Sequence, residues 1–223
     1  MHTRTNRLIH PLRGFGAVPL ARETLDEVLS SYRRPNDKVS EWLREGALQP
    51  LRRGLYLVGQ PLRSSPACLP LLANHLYGPS CVSLDFALAW HGLIPEGVAE
   101  VTSVTPRPSR SLNNALGRFS YHHLPLRYYA VGQELGQAGD GLSFLIAGPA
   151  KAVCDRLVLS RSLPPLSRGA MRQWLLEDLR LDPHGVAELN LAPIRDCLAT
   201  GFKHRQLTTL LAVMEGLQRK ITA

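Results

Sequence analysis

An α+β fold is predicted by three features of this chain of 223 residues. Between Leu20 and Val58, apolar residues at helical spacing give way to a short β-rich run. In the middle of the chain, Val98–Thr105 and Phe119–Leu124 read as strands set among helical segments. From residue 150 onward the periodicity is almost wholly helical. The expected architecture is an N-terminal helix-turn-helix with a hairpin, then a mixed α+β domain with a small sheet and a helical C-terminal part.

The element that organises the first part is Val39–Gly59, VSEWLREGALQPLRRGLYLVG. Val39, Trp42 and Leu43 lie at i, i+3 and i+4, which places them on one helical face, while Glu41, Arg44 and Glu45 take the other. Gly46 follows where a sharply ending helix wants positive φ. Two arginines, Arg52 and Arg53, then sit at the tip of a short hairpin closed by Leu55-Tyr56-Leu57-Val58. Helix, stop and basic hairpin form the pattern of a winged helix-turn-helix, whose helix enters the major groove while the wing touches the backbone.

Upstream, residues 4–13 read as a short first helix or arm, and Gly14–Val18 as a turn or strand-like segment. Leu20–Leu29 reads as the helix before the turn, with Pro19 ahead of it and Leu25, Val28 and Leu29 as the buried stripe. Ser30–Asp37 is the turn, with Asn36 or Asp37 expected to cap the recognition helix. The residues left to face DNA are Arg33, Arg34, Asn36, Lys38, Ser40 and Glu41. Asn can pair bidentately with adenine and Arg with guanine, whereas Arg52 and Arg53 suit phosphate, which positions without reading sequence. The expected DNA-binding set is therefore Arg33, Arg34, Asn36, Lys38, Ser40, Arg52 and Arg53.

Charge agrees with this placement. The net charge is +8, with ten basic against six acidic residues in 1–59, a neutral middle, and eleven basic against seven acidic residues in 150–223. Excess at both ends suits polyanionic partners, although most charge runs are simply solvated. Residues 60–70, QPLRSSPACLP, carry three prolines and read as a linker between a 1–59 domain and a 71–223 domain. Cys68, Cys81, Cys154 and Cys197 are widely spaced and form no CxxC pair, as expected of free thiols in a reducing cytoplasm. The basic N-terminus lacks the apolar region of a signal peptide, and no stretch is long enough to span a membrane, so neither export nor membrane association is expected.

In the second part, Leu71–Leu76 reads as helical, Gly78-Pro79 as a turn and Cys81–Ser83 as a strand. Ser83 is expected to cap a helix Leu84–His91 that Gly92 ends. Arg107, Arg110 and Arg118 fall in a polar stretch, and Gly136–Gly141 in a turn-rich loop. Ala170–Leu179 resumes the helical run after a break at Pro164-Pro165, and Asp182-Pro183 ends it. The last helix carries Leu207, Leu210, Leu211, Met214, Leu217 and Ile221 on one stripe, with Lys203, Arg205, Arg219 and Lys220 on its basic face.

The order of these motifs resembles the AbiEi antitoxins of type IV toxin–antitoxin systems. The resemblance runs from about residue 15 to about 160, through RRGLY, VSLDFALAWHGL, EVTSVTPR, GRFSYHHLP and IAGPAKAVCDRLVL. The chain departs from the family pattern at Ala150, where Glu is usual, and at Asp85, where Ser is common. Lys151 and Asp155 remain at i, i+4. The resemblance implies an AbiEi-like antitoxin domain at 71–223 and a protein that represses its own operon by binding inverted repeats in double-stranded operator DNA. It also implies antagonism of a nucleotidyltransferase-like toxin without a stable complex. Two copies are expected per operator, since helix-turn-helix proteins read palindromic sites in pairs.

An enzyme is not expected. His122 and His123 are adjacent on a strand and point to opposite faces, so they do not share a ligand. No HExxH, GxSxG, P-loop or GxGxxG pattern occurs, and no cofactor or metal is expected. The competing reading is an orphan winged-helix regulator whose second domain binds a protein or small ligand.

Overall fold

The computed structural model describes residues 11–63, 65–160 and 167–221. Of the helix or arm expected over residues 4–13, residues 4–10 lie outside these residues, as does the break at Pro164-Pro165, and Arg13 opens a 3₁₀ turn, Arg13–Phe15. The fold is α+β, with a three-stranded and a six-stranded sheet and a helical C-terminal part.

The first unit runs β1 (Leu20–Ala21), α1 (Arg22–Val28), α2 (Pro35–Arg44), β2 (Leu48–Arg52), β3 (Leu55–Val58), with sheet order β1-β3-β2. That is a helix-turn-helix closed by a wing. Two local expectations are corrected. Leu20 and Ala21 pair with Tyr56 and Leu55 in β1, so the helix begins at Arg22. The edge of β3 needs backbone partners there, and Leu20 is buried by supplying them. Neither Asn36 nor Asp37 caps α2: Pro35 occupies its first turn and Arg34 the cap position, without a side-chain bond. A proline at that position removes one amide that would otherwise need a partner.

Gly46 takes φ 70° where α2 turns into β2. A Cβ on Gly59 would lie 1.7 Å from the Gly46 carbonyl oxygen, so only glycine fits where the end of the wing crosses the start. Within the wing, the period of two divides the side chains between two cores. Val58 joins Leu25, Leu29, Val39 and Trp42 beneath the helices, while Leu55 and Leu57 point the other way, into the core of the second unit. Each such fully buried leucine contributes about 1.5–3 kcal/mol.

The stretch expected as a linker holds a 3₁₀ turn, Gln60–Leu62, and its last residues already belong to α3 (Leu69–Leu76). The second unit continues β4 (Cys81–Val82), α4 (Leu84–Trp90), β5 (Val101–Thr105), β6 (Arg110–Asn114), β7 (Gly117–His123), α5 (Leu126–Tyr129), β8 (Gln133–Gln137) and β9 (Ser143–Ala147). Helices α6 (Pro149–Val158), α7 (Arg168–Gln173), α8 (Pro183–Glu188), α9 (Ala192–Ala199) and α10 (His204–Ile221) follow. The sheet order is β6-β7-β5-β4-β9-β8, with β7–β5 and β4–β9 parallel and the other pairs antiparallel. Among the described residues no helix is long and apolar enough to cross a membrane.

Five further expectations change here. The polar stretch containing Arg110 forms β6, an edge strand carried by backbone pairing with β7, and the first two residues of the turn-rich loop, Gly136 and Gln137, end edge strand β8. Ala170–Leu179 is α7 followed by a π-helical turn at Trp174–Asp178. Asp182 opens α8, its carboxylate accepting the Gly185 amide at 2.8 Å. Ser83 precedes α4 but does not cap it with its hydroxyl, which donates instead to Asp155 Oδ2 at 2.6 Å.

That last bond belongs to a buried polar knot. Lys151 and Asp155, one turn apart on α6, form an ion pair and are 1% and 0% exposed. The Lys151 ammonium also sits 4.3 Å from the Tyr128 ring centroid. The motif that marks the family resemblance is therefore an internal clip joining α4, α5 and α6.

Candidate nucleic-acid interface

The expected contact residues gather at the N-terminal end of α2 and the tip of the wing. Arg33 and Arg34 are exposed in the turn before α2. Arg34 lies 3.7 Å from Asp37, a loose pair with both side chains more than 70% exposed that solvent screens. Arg33 has no ion pair among the described residues.

The other three helix residues already have partners. Lys38 Nζ donates to Glu41 Oε1 at 2.7 Å and sits 5.8 Å from the Trp42 ring centroid. That hydrogen bond raises the Lys38 pKa and lowers that of Glu41. Ser40 Oγ donates back to the Asn36 carbonyl at 2.9 Å. Asn36 Oδ1 accepts from Arg22 Nη2 at 2.6 Å, and Arg22 also holds Asp26 at 2.8 Å, which raises its pKa. A bidentate Asn36–adenine contact would need that oxygen back. Its amide nitrogen has no such commitment among the described residues. Arg22, which the sequence did not single out, thus links the two helices of the motif.

At the wing tip, Arg52 and Arg53 are exposed, and Gly54 turns the chain at φ 74°. The wing does not stand free in solvent. The Asn114 side-chain amide donates to the Leu51 carbonyl at 3.4 Å, tying β2 to the β6–β7 hairpin. The arginines consequently face a cleft of ≈ 380 Å³ whose other wall is Tyr77, Gly78, Arg107 and Arg110. The sequence analysis did not single out Tyr77, and placed Arg107 and Arg110 in a polar stretch, Arg107 also ending the EVTSVTPR motif, without giving either a contact. Nothing in their spacing announces that they meet a hairpin more than fifty positions upstream.

Among the described residues, no three His, Cys, Asp or Glu side chains group as metal ligands. His123 is exposed, its ring nitrogen 3.1 Å from the Arg107 carbonyl.

No family model matches the chain, and no curated protein sequence does. Its fold is similar to that of the Rv2827c protein from Mycobacterium tuberculosis, at 16% identity and a TM-score of 0.60, over 96% of this chain and 80% of that one. At that identity the likeness concerns the fold, and its span takes in both units described above.

Proposed function

We propose that this chain is a DNA-binding autorepressor and the antitoxin of a type IV toxin–antitoxin pair, working in a reducing cytoplasm. The observation that carries the DNA half is the pair of exposed arginines before α2 and the pair at the wing tip, the two places being linked through Arg22, whose amide donates to the Gly54 carbonyl at 3.0 Å and whose guanidinium donates to Asn36 Oδ1 at 2.6 Å. The helix would enter the major groove with Arg33 and Arg34 at its leading end. Arg52 and Arg53 would hold phosphate beside it. Of the expected contacts, Lys38 and Ser40 serve the helix internally, and Asn36 would read a base through its amide nitrogen alone.

The antitoxin half rests on the AbiEi resemblance, including VSLDFALAWHGL and the Lys151–Asp155 pair. It casts the second domain as an antagonist of a nucleotidyltransferase-like toxin, acting without a stable complex. No catalytic role is assigned to the chain.

The test is binding of the purified protein to the duplex immediately upstream of its gene, beside a scrambled duplex, at low and near-physiological salt. Preference that survives the higher salt and is lost in Arg33→Ala/Arg34→Ala supports sequence-specific repression. Equal binding to both duplexes that collapses with salt sinks it, because counterion release alone gives that pattern. The antitoxin half fails if co-expression does not relieve the toxicity of a neighbouring nucleotidyltransferase-like protein, or if no such neighbour exists.

A further inference from the structure

The cleft between the wing and the second unit is lined by Arg52, Arg53, Arg107 and Arg110, and no acidic side chain lines it. None of the four forms an ion pair with a described residue. Guanidinium groups stay protonated in proteins, so like charges accumulate here with nothing of opposite sign to offset them. A site held in this state is suited to an anion supplied from outside.

Its geometry says which kind. Tyr77, on the wall opposite the wing, donates its hydroxyl to the Pro108 carbonyl at 3.1 Å. The Arg107 guanidinium lies 4.6 Å from its ring centroid and that of Arg110 5.4 Å. Tyr121 packs against the same ring edge-to-face at 5.2 Å. With those neighbours in place the aromatic surface is committed, and no flat platform remains for a nucleobase to stack on. Arg107 is aimed by its bond to the Gly78 carbonyl at 2.9 Å, and its loop is pinned by the Ser109 hydroxyl accepting the His123 amide at 2.9 Å. The loop is thus ordered in advance. All four guanidinium-bearing residues are exposed, and the cleft opens beside the wing. Such a site fits a phosphate group that keeps part of its hydration, as a backbone phosphate does.

We propose that this cleft is a phosphate-binding site built jointly by both units, and that it takes a backbone phosphate of the duplex outside the recognition-helix footprint. The second domain is then part of the DNA interface, through Arg107 and Arg110. This rests on the DNA-binding reading above. It adds contacts that fix position and contribute to salt dependence without selecting bases.

The experiment measures duplex affinity of the full-length protein by fluorescence anisotropy between about 50 and 200 mM salt. Wild type is compared with Arg107→Ala/Arg110→Ala and with Arg52→Ala, which removes cleft charge without touching Tyr77. Each lost phosphate contact should lower the slope of log affinity against log salt by about 0.9. The expected result is a shallower slope in both variants, equal weakening on upstream and scrambled duplexes, and unchanged melting temperatures. A wild-type slope retained by Arg107→Ala/Arg110→Ala overturns the proposal while leaving the recognition-helix and wing reading intact, since Arg52 serves that reading as well. If wild type binds no duplex, both readings fall. A parallel titration with inorganic pyrophosphate separates the sources: binding lost in Arg107→Ala/Arg110→Ala beside an unchanged duplex slope would overturn the DNA assignment in favour of a free phosphate ligand.

Discussion

Arg22 Nη2 stands 2.6 Å from Asn36 Oδ1, and the same guanidinium holds Asp26 at 2.8 Å, so one side chain spans the first helix and the start of the second. The position of α2 is therefore set partly by a polar strut, in addition to Trp42 and Leu25 beneath it. Replacing Arg22 by Ala should cost about 1 kcal/mol, since the side chain is part-exposed and such bonds are screened. Urea unfolding would read this as a lower midpoint with an unchanged slope. A loss below 0.5 kcal/mol would mean the strut has no energetic role.

Lys151 and Asp155 respond differently to single and paired replacement. Lys151→Met leaves a buried carboxylate with the Ser83 hydroxyl as its one remaining side-chain partner among the described residues, and should destabilise the fold by about 3–5 kcal/mol. Lys151→Met/Asp155→Leu removes both charges and should recover most of that loss. A double variant no more stable than the single would contradict a purely structural pair and point to a further role for the ammonium.

On the DNA side, Arg33→Ala/Arg34→Ala should leave stability within about 0.5 kcal/mol of wild type, because both side chains are exposed and neither packs. If either arginine reads guanine, discrimination against the wrong base falls by about 1–3 kcal/mol per contact. Anisotropy on point-substituted operators would show this. Weakening that is uniform across sequences would reassign both residues to phosphate.

The thiols should differ in reactivity. Burial raises the pKa of Cys81 and Cys154, and burial also raises that of half-buried Cys68. A hydrogen bond with Cys154 lowers that of Cys197, against its desolvation, but the side chain is buried. Timed alkylation read by mass spectrometry should label Cys68 first and the other three only on unfolding. A thiol whose folded pKa is raised binds its proton more tightly in the native state. The stability contributed by Cys81, whose shift comes from burial, is therefore complete below the unfolded pKa of about 8.5 and declines as pH rises above it. Thermal melts from pH 7 to 10 should fall accordingly. A melting temperature flat over that range would rule the effect out.

The legibility of the fold followed the range of the interactions. Val39, Trp42 and the Arg52–Arg53 tip could be read because helical and hairpin patterns are local. Leu20 could not: its spacing suits a helix, and only pairing with Tyr56 makes it a strand. β6 and β8 carry little apolar signal, since edge strands are held by the neighbour's backbone more than by their own side chains. Ser83 has the chemistry of a cap, but a buried carboxylate 72 positions away is the stronger partner. Among the candidate contacts, exposure of the arginines was readable, while the claims on Asn36 and Lys38 by Arg22 and Glu41 needed the packed structure. The arginine cleft needed it most.

The wing sheet is a party wall. Leu51, Leu55 and Leu57 belong to one room and Leu48 and Val58 to the other. A cut after residue 59 would expose three leucines on the excised piece and open the remainder along the same seam. The isolated N-terminal fragment should aggregate, and a chain lacking 1–59 would lose part of the cover over the second core along with the first unit. For the same reason, heat should melt both halves in one transition, and a force applied to the second half would be felt at the Arg52–Arg53 tip.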